Sequence, residues 1–336
     1  MTNHLKKTIK WVGYVLEESI RILSMQLILV PAAYILPRKW ALKIAGAVSL
    51  PRAILPWPGF KMYWQMRQAF GKNRIDSFLL SWGWLTQPLS DFVVMKRILY
   101  KRENPFHWKI VERNADGIKS LRESGESYII VSAHFPKIPS LCLYSPEVTY
   151  GHPVQVGDAP RKRIRSLRDL RIRIQYGALL QVISSSCWGR DVDLVYSRSD
   201  LRAARVLYRR LRERGNVVCI PVDASWDKNV TGSYERRFAG HTKKVFSSGA
   251  AQLAQMSKCP IISCVFMIEN DETLVLQWGD PIRINESKSN IDVVVMNKLM
   301  DDLEIAVGER PTQYIFEIGW GRRWNSKDNR WEDSSE

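Results

Sequence analysis

The sequence predicts an α/β protein with a mixed, largely parallel central sheet that is flanked by helices. From about residue 108 onward, short apolar runs typical of strands alternate with helical patterns. Some of these runs, such as residues 217–220, are apolar throughout, as expected for strands that are covered on both faces. A chain of 336 residues, with 45% hydrophobic and 25% charged side chains, is also long and balanced enough to bury a large core.

The predicted elements follow from these patterns in chain order. Residues 62–125 are expected to be largely helical, with an interruption at Glu103-Asn104-Pro105. Strands are predicted at residues 107–111, 127–131, 153–156, 192–195, 216–222, 260–266 and 274–278. Helices are predicted at residues 114–124, 160–175, 199–214, 245–257 and 290–308.

The N-terminal residues 1–60 form an apolar, proline-containing segment that precedes the predicted α/β domain at 61–324. Its longest apolar run, Ile22 to Leu36, has 15 residues and includes Gln26 and Pro31, which is shorter than the roughly 20 that cross a bilayer. We interpret residues 1–60 as membrane-associated amphipathic helices lying in or dipping into one leaflet. The alternative is that they pack on the globular domain. Residues 325–336 are predicted to be a disordered polar tail.

The formal net charge of +16 indicates an anionic partner. Nucleic acid, acidic lipid headgroups and an acidic carrier protein all fit this charge, but the sequence contains no zinc finger, RNA-binding aromatic motif or helix-turn-helix that would favour nucleic acid. The five cysteines lie far apart without a C-x-x-C pair, which argues against a zinc site and a disulfide framework. No metal or redox cofactor is expected.

His134 is the first candidate catalytic residue. It stands in residues 132–140, Ser-Ala-His-Phe-Pro-Lys-Ile-Pro-Ser, directly after the apolar run 128–131. A histidine at the end of a core strand is fixed by the strand and opened to substrate by the following loop, which suits a general base. The alternative is that His134 has only a structural role.

Residues 216–256 hold the second set of candidates. Asp223 ends a predicted strand, where functional groups collect in parallel sheets. Arg236 and Arg237 can hold a phosphate or phosphopantetheine group, because guanidinium binds phosphate bidentately. Ser247 and Ser248 precede a helix, so they belong either to an anion site or to a plain helix N-cap.

Two basic stretches complete the candidates. Seven Lys and Arg residues, including Arg161 and Arg163, lie between positions 161 and 173, and a second arginine-rich helix is predicted from Arg198 to Arg214. Such faces can bind anionic lipid, acceptor phosphates or an acidic acyl carrier protein. The alternative is an ordinary solvated helix face.

These blocks, together with the strand at 260–266 and the closing segment Pro311 to Trp324, resemble the lipid A late acyltransferases, a bacterial family of the lysophospholipid acyltransferase superfamily. The likeness extends over roughly residues 20–324 and rests on the order of the motifs. The chain departs from the family at two places. Pro139 stands where the family's His-x-x-x-x-Asp/Glu motif has its acid, and Gly319-Trp320-Gly321 stands where a histidine is usual.

The resemblance implies a glycerol-3-phosphate acyltransferase-like fold at the cytoplasmic face of the bacterial inner membrane, peripheral or single-pass. The implied reaction moves an acyl group from an acyl carrier protein or coenzyme A thioester to a hydroxyl or amine of a glycolipid or lipid-like acceptor. His134 is then the base, Arg236 and Arg237 bind the donor, and Glu147, Asp158 or Asp223 substitutes for the missing acid. The alternatives are an inactive homologue that binds lipid or carrier protein, and a transferase with an unusual acyl or aminoacyl donor.

Overall fold

In the computed structural model, the described residues are 3–54, 59–102, 109–134, 152–158, 164–184, 193–197, 202–223, 232–270, 273–285, 289–314 and 316–333. The helices are α1 (Asn3–Ser24), a π-helical turn (Met25–Leu29), α2 (Val30–Ile35), α3 (Arg38–Ile54), α4 (Gly59–Phe70), α5 (Arg74–Leu99), α6 (Asp116–Ser124), α7 (Leu167–Ser184), α8 (Arg202–Arg212), α9 (Gly249–Ser257), α10 (Ile291–Glu309) and a 3₁₀ turn (Pro311–Gln313). The strands are β1 (Lys109–Arg113), β2 (Tyr128–Ser132), β3 (His152–Asp158), β4 (Asp193–Ser197), β5 (Asn216–Pro221), β6 (Ser233–Phe238), β7 (His241–Ser247), β8 (Ile261–Ile268), β9 (Thr273–Trp278), β10 (Arg322–Asn325) and β11 (Arg330–Asp333).

Seven strands form the central sheet, in the order β1-β9-β8-β2-β5-β3-β4. Strands β8, β2, β5, β3 and β4 are parallel, whereas β9 runs antiparallel to β8 and pairs in parallel with β1. The apolar strand β2 is buried along its whole length, between β5 and β8. The prediction of an α/β fold with a mixed, largely parallel sheet is therefore confirmed.

The sequence patterns did not predict the hairpin formed by β6 and β7. The helix predicted at 245–257 begins only at Gly249, because residues 245–247 belong to β7. The hairpin turns at Ala239 and Gly240, whose φ angles are 48° and 82°. Two-residue hairpin turns often need positive φ at both positions, but Ala239 gives no glycine-like signal for this. Gly240 has a second constraint, since an added Cβ would lie 2.4 Å from the carbonyl oxygen of Gly319.

The prediction of a disordered polar tail is wrong for residues 330–333, because they form β11 and pair with β10. Trp331 is buried and packs against the rings of Phe70 and Trp324. Its indole N–H also donates to the Glu304 carbonyl on α10. A single tryptophan thus holds a segment whose other residues are mostly polar.

Glu304 of α10 joins this tail hairpin to the β6–β7 hairpin. Its carboxylate accepts hydrogen bonds from Arg322 Nη1 at 2.7 Å, from Arg236 Nη2 at 3.2 Å and from the Ala239 N–H at 2.9 Å. The Glu304 side chain is only 10% exposed. A buried carboxylate is tolerated when donors surround it in this way, so the network fixes both hairpins on α10.

The N-terminal helices share the core of the α/β domain. Met25, Leu29, Ala33 and Ala41 are buried and belong to the same hydrophobic cluster as the sheet, and α3 packs along α5. The π-helical turn ends two residues before Pro31, which has no N–H to donate and so favours an irregular helix here. The predicted helical segment is present, and its inner side packs on the globular domain.

Within the described residues, one helical stretch is long and apolar enough to cross a membrane. It runs from Trp11 to Ile35, and 28% of its most apolar window is buried.

Candidate functional site

The sheet topology brings His134 and Asp223 together. β2 and β5 are neighbouring parallel strands, and Ser132 at the end of one lies opposite Pro221 at the end of the other. The Val222 N–H donates to the Ser132 carbonyl, so the pairing continues just past both strands. His134 and Asp223 each follow their strand by two residues, at the carboxyl edge where parallel sheets place functional groups.

Asp223 holds both the ring and the backbone of His134. Asp223 Oδ1 lies 2.5 Å from His134 Nδ1, and Asp223 Oδ2 accepts from the His134 N–H at 2.7 Å. The carboxylate is fully buried, whereas the His134 side chain is 19% exposed. Two bonds from one carboxylate fix the ring position, and Nδ1 is then occupied as a donor, which leaves Nε2 as the nitrogen that can accept a proton.

Tyr314 is a buried phenol close to the buried carboxylate. Burial raises the pKa of Tyr314 well above its ordinary value, and the negative charge of nearby Asp223 raises it further. The phenol therefore stays protonated beside Asp223. Its ring packs against Phe238 and Phe316, so the aromatic packing also places the hydroxyl.

Lys244 of β7 brings a cation to the same place. Its Nζ donates to the Asp223 carbonyl oxygen at 3.1 Å and lies 5.2–5.6 Å from the ring centres of Phe238, Phe246 and Phe316. Burial lowers the pKa of Lys244, and the Asp223 charge acts in the opposite direction. The Phe316 ring also contacts the His134 imidazole edge-on, with the ring centres 4.8 Å apart.

The lowered pKa of Lys244 predicts a pH-dependent stability. A buried cation costs free energy while it is charged, and this cost disappears as pH rises through the folded pKa towards the ordinary value of 10.5. Lys244→Met removes the cost at every pH. The free energy of unfolding of the wild type, relative to Lys244→Met, should therefore increase as denaturation is measured from pH 7 to pH 10.5.

Lys243→Met is the matched control for this measurement, because Lys243 precedes Lys244 on the same strand and its side chain is 77% exposed. Its difference from the wild type should stay flat over the same pH range. A Lys244→Met difference that is equally flat would contradict the assignment of Lys244 as a cation destabilised by burial.

Several predicted site residues lie elsewhere or outside the described residues. Glu147, Arg161 and Arg163 fall outside them, and Asp158 is the last residue of β3. Arg236 donates to Asp301, Glu304 and the Asn297 carbonyl on α10, which gives it a structural role. Arg237 is exposed and pairs with Asp333 of β11. Donor binding by either arginine stays a prediction.

The two serines before α9 have local partners. The Ser247 hydroxyl accepts from the Gly249 N–H at 3.1 Å, a local turn just before the helix. Ser248 is the N-cap residue, but its side chain makes no capping hydrogen bond. It is buried, donates to Asp292 and accepts from Gln252. Anion binding by these serines stays a prediction.

Sequence reasoning placed His134 and Asp223 but missed Tyr314, Lys244 and Phe316. Lys244 stands on a hairpin that was predicted to be partly helical, and Tyr314 and Phe316 lie more than 90 positions after Asp223. Tyr234 and Phe238 are four residues apart, a spacing that fits a helix as well as a strand, so the local pattern gives no clear signal for the hairpin. No local pattern indicates that Tyr314 would reach Asp223.

The described residues contain no group of three or more His, Cys, Asp or Glu side chains arranged to hold a metal ion. Comparison with models of known protein families and with curated protein sequences gave no match. The chemistry of the His134–Asp223 pair therefore has to be inferred from its own geometry.

Proposed function

We propose that this protein is a membrane-associated acyltransferase with a glycerol-3-phosphate acyltransferase-like fold, in which His134 is the general base and Asp223 orients it. The 2.5 Å contact between His134 Nδ1 and Asp223 Oδ1 carries the proposal. The resemblance to lipid A late acyltransferases places a base at His134, and Pro139 removes the acid that the family uses. Asp223 supplies a carboxylate at the required distance.

The proposed reaction uses the free Nε2 of His134. Nε2 takes the proton from an acceptor hydroxyl or amine, whose oxygen or nitrogen then attacks the carbonyl carbon of an acyl thioester. The C–S bond breaks, and the departing thiolate takes the proton back from the imidazolium. Asp223 stabilises the imidazolium between these steps, and the Lys244 cation can offset negative charge that develops nearby.

The outer face of α1 and of the π-helical turn that continues it supports attachment to a membrane. Leu16, Ile20, Leu23 and Leu27 recur at helical spacing and are 54–70% exposed, whereas Glu18 on the opposite side is buried. A helix in water normally shows the reverse arrangement, with its charged face outside. An apolar outer face and a charged inner face suit a helix whose outside lies in lipid.

The triple substitution Ile20→Gln, Leu23→Gln and Leu27→Gln is expected to weaken binding to lipid vesicles by 100-fold or more. Burying one such side chain contributes roughly 1.5–3 kcal/mol, and three are lost together. Co-sedimentation with phosphatidylcholine vesicles measures the effect. Val294→Gln is the matched control, because Val294 is equally exposed but lies on α10; equal loss in the control would contradict membrane attachment through α1.

The face of α8 fits an acidic donor carrier or an anionic surface. Arg205, Arg209 and Arg212 recur at helical spacing and are exposed, whereas Leu207 and Leu211 on the inner side are buried. An acyl carrier protein, whose negative charge matches this row, is the partner that we propose for it. Coenzyme A thioesters remain the alternative donor, and the assay described next uses both.

The direct experiment is release of free thiol from an acyl-carrier-protein or coenzyme A thioester, with and without a bacterial lipid extract as acceptor. The wild type should release thiol faster when acceptor is present, and His134→Ala should lower this rate by 10²–10⁴-fold, the range that a general base contributes, on the order of 3–5 kcal/mol. His241→Gln is the control histidine, since His241 bonds only the Glu317 carbonyl among its described contacts.

The non-catalytic alternative makes the opposite prediction for the same assay. A lipid- or carrier-binding homologue would bind vesicles but would show no acceptor-dependent thiol release, and His134→Ala would have no effect. The two bonds from Asp223 to the ring and the backbone of His134 favour the catalytic proposal, because they hold the imidazole with Nε2 free to accept a proton.

A further inference from the structure

A cluster of charged side chains lies beneath α1, where α1, α3 and α7 meet. Glu17, Glu18 and Arg21 come from α1, Arg52 from α3 and Arg171 from α7. Arg52 Nε lies 3.0 Å from Glu17 Oε1, and Arg171 Nε lies 2.7 Å from Glu18 Oε2. Each carboxylate therefore has an arginine of its own from a neighbouring helix.

Arg21 is the surplus cation of this cluster. Its single described contact with a carboxylate joins Nη1 to Glu18 Oε1 at 3.4 Å, which is longer than either of the other two pairs. Three guanidinium groups face two carboxylates, so one positive charge is not balanced within the cluster. The Arg21 side chain is nevertheless only 13% exposed.

Two buried donors in this cluster point to a missing acceptor. Arg21 Nε and Gln175 Nε2 are buried, and neither has a hydrogen-bond partner among the described residues. Gln175 belongs to the cluster because its Oε1 accepts from Arg171 Nη1 at 2.8 Å. Buried donors are seldom left unpaired, since each costs the free energy of its lost hydration. An anion that accepts from both would remove this cost and the excess charge together.

The position of the cluster indicates where such an anion comes from. Leu16, Ile20 and Leu23 of α1 and Leu27 of the following π-helical turn form an apolar face on the side of the helix away from Glu18 and Arg21. A helix that buries this face reaches only about 5–10 Å into the boundary between headgroups and acyl chains. The charged side is then at the depth of the lipid phosphates.

We propose that Arg21, with Gln175 and the guanidinium groups of Arg52 and Arg171, forms a binding site for a phosphate group, and that its source is an anionic phospholipid headgroup. Guanidinium matches phosphate oxygens with paired N–H donors. Glu17 and Glu18 do not repel the ligand strongly because their charges are matched by Arg52 and Arg171. The inference rests on the proposed membrane attachment of α1 and is independent of acyl transfer.

Arg21→Gln tests the proposal in the full-length protein. Co-sedimentation is measured with phosphatidylcholine vesicles, alone and with added phosphatidic acid. Phosphatidic acid should increase the affinity of the wild type for vesicles. In Arg21→Gln this increase should be about tenfold smaller, because one charge-assisted hydrogen bond is lost. Binding to phosphatidylcholine alone should fall far less than in the α1 triple variant, because the choline cation neutralises the charge of that headgroup, so loss of the site and loss of membrane attachment are distinguishable.

A second arm separates a lipid phosphate from free phosphate. Thermal unfolding is followed with inorganic phosphate and with chloride at matched ionic strength. If the gain in vesicle binding from phosphatidic acid depends on Arg21, the headgroup site is supported, whether or not inorganic phosphate also raises the unfolding temperature. A response to inorganic phosphate alone supports a phosphate site but contradicts the lipid source. If Arg21→Gln responds as the wild type does in both arms, the proposal is overturned.

The unfolding temperature of Arg21→Gln without phosphate is the folding control. Without phosphate, Arg21→Gln should unfold at the wild-type temperature or higher, because it removes an unbalanced buried cation. Lys119→Gln on α6 is the matched variant that removes an equal charge elsewhere, because the Lys119 side chain is 60% exposed, and it should keep the Arg21-dependent part of the response. A large loss of stability in Arg21→Gln would show a structural role and contradict the site.

Discussion

Asp223→Asn is expected to lower the kcat of acyl transfer by up to about 10⁴-fold, the cost seen when a carboxylate that orients a catalytic histidine becomes an amide. Both carboxylate oxygens of Asp223 accept a hydrogen bond, one from the ring and one from the backbone N–H of His134. The Asn side chain has a single oxygen, so it can replace only one of these two acceptors. The amide N–H₂ would also favour the wrong tautomer of the imidazole. Thiol release by the purified variant measures the loss.

Asp301→Asn is the matched control, because the Asp301 side chain is 66% exposed and pairs with Arg236 away from His134. Its kcat should stay within about twofold of the wild type, as for an ordinary surface substitution. Substrate binding should change little in Asp223→Asn, since Asp223 is buried behind the ring. An increase in KM with unchanged kcat would contradict an orienting role.

Glu304→Ala is expected to lower the free energy of unfolding by about 3–5 kcal/mol, the usual cost of removing one partner from a buried ion pair. The substitution leaves Arg322 and Arg236 without their shared carboxylate and leaves the Ala239 N–H without its acceptor. Because these donors belong to both hairpins, the β6–β7 turn and the β10–β11 hairpin should loosen together. Urea denaturation measures the loss.

The paired variant Glu304→Met with Arg322→Met is the control for the Glu304 network. Replacing both charges of a buried pair by apolar side chains of similar size is often nearly neutral. The double variant should therefore be more stable than Glu304→Ala. If it were as unstable as Glu304→Ala, the unpaired charge of Arg322 would not be the main cause of the loss, which would then come from the bonds to Arg236 and the Ala239 N–H or from packing.

The central sheet was predictable because its strands carry strong local signals. Residues 128–131 and 217–220 are continuous apolar runs. Each predicted strand of the sheet begins and ends within two residues of the observed strand. The same reasoning placed His134 and Asp223 at strand ends. Their meeting follows from the pairing of β2 with β5, which depends on the strand order and cannot be read from local patterns.

The parts that sequence reasoning missed depend on contacts between distant residues. Trp331 looks like one apolar residue in a polar tail, yet its burial against Phe70 and Trp324 fixes β11. Lys244 is one of two adjacent lysines in the sequence, and it differs from Lys243 through its bond to the Asp223 carbonyl and its contacts with the rings of three phenylalanines. Tertiary packing decides such positions, and local propensity carries little information about them.

The measurement that tests the central claim most directly is the NMR spectrum of the histidine ring protons in protein labelled with ¹⁵N-histidine, which has five histidines to resolve. The central claim is that Asp223 takes the place of the acid missing at Pro139 and holds the His134 ring. It predicts a low-field Nδ1–H signal that disappears in both His134→Gln and Asp223→Asn. A spectrum without this signal, or a signal that survives Asp223→Asn, would contradict it.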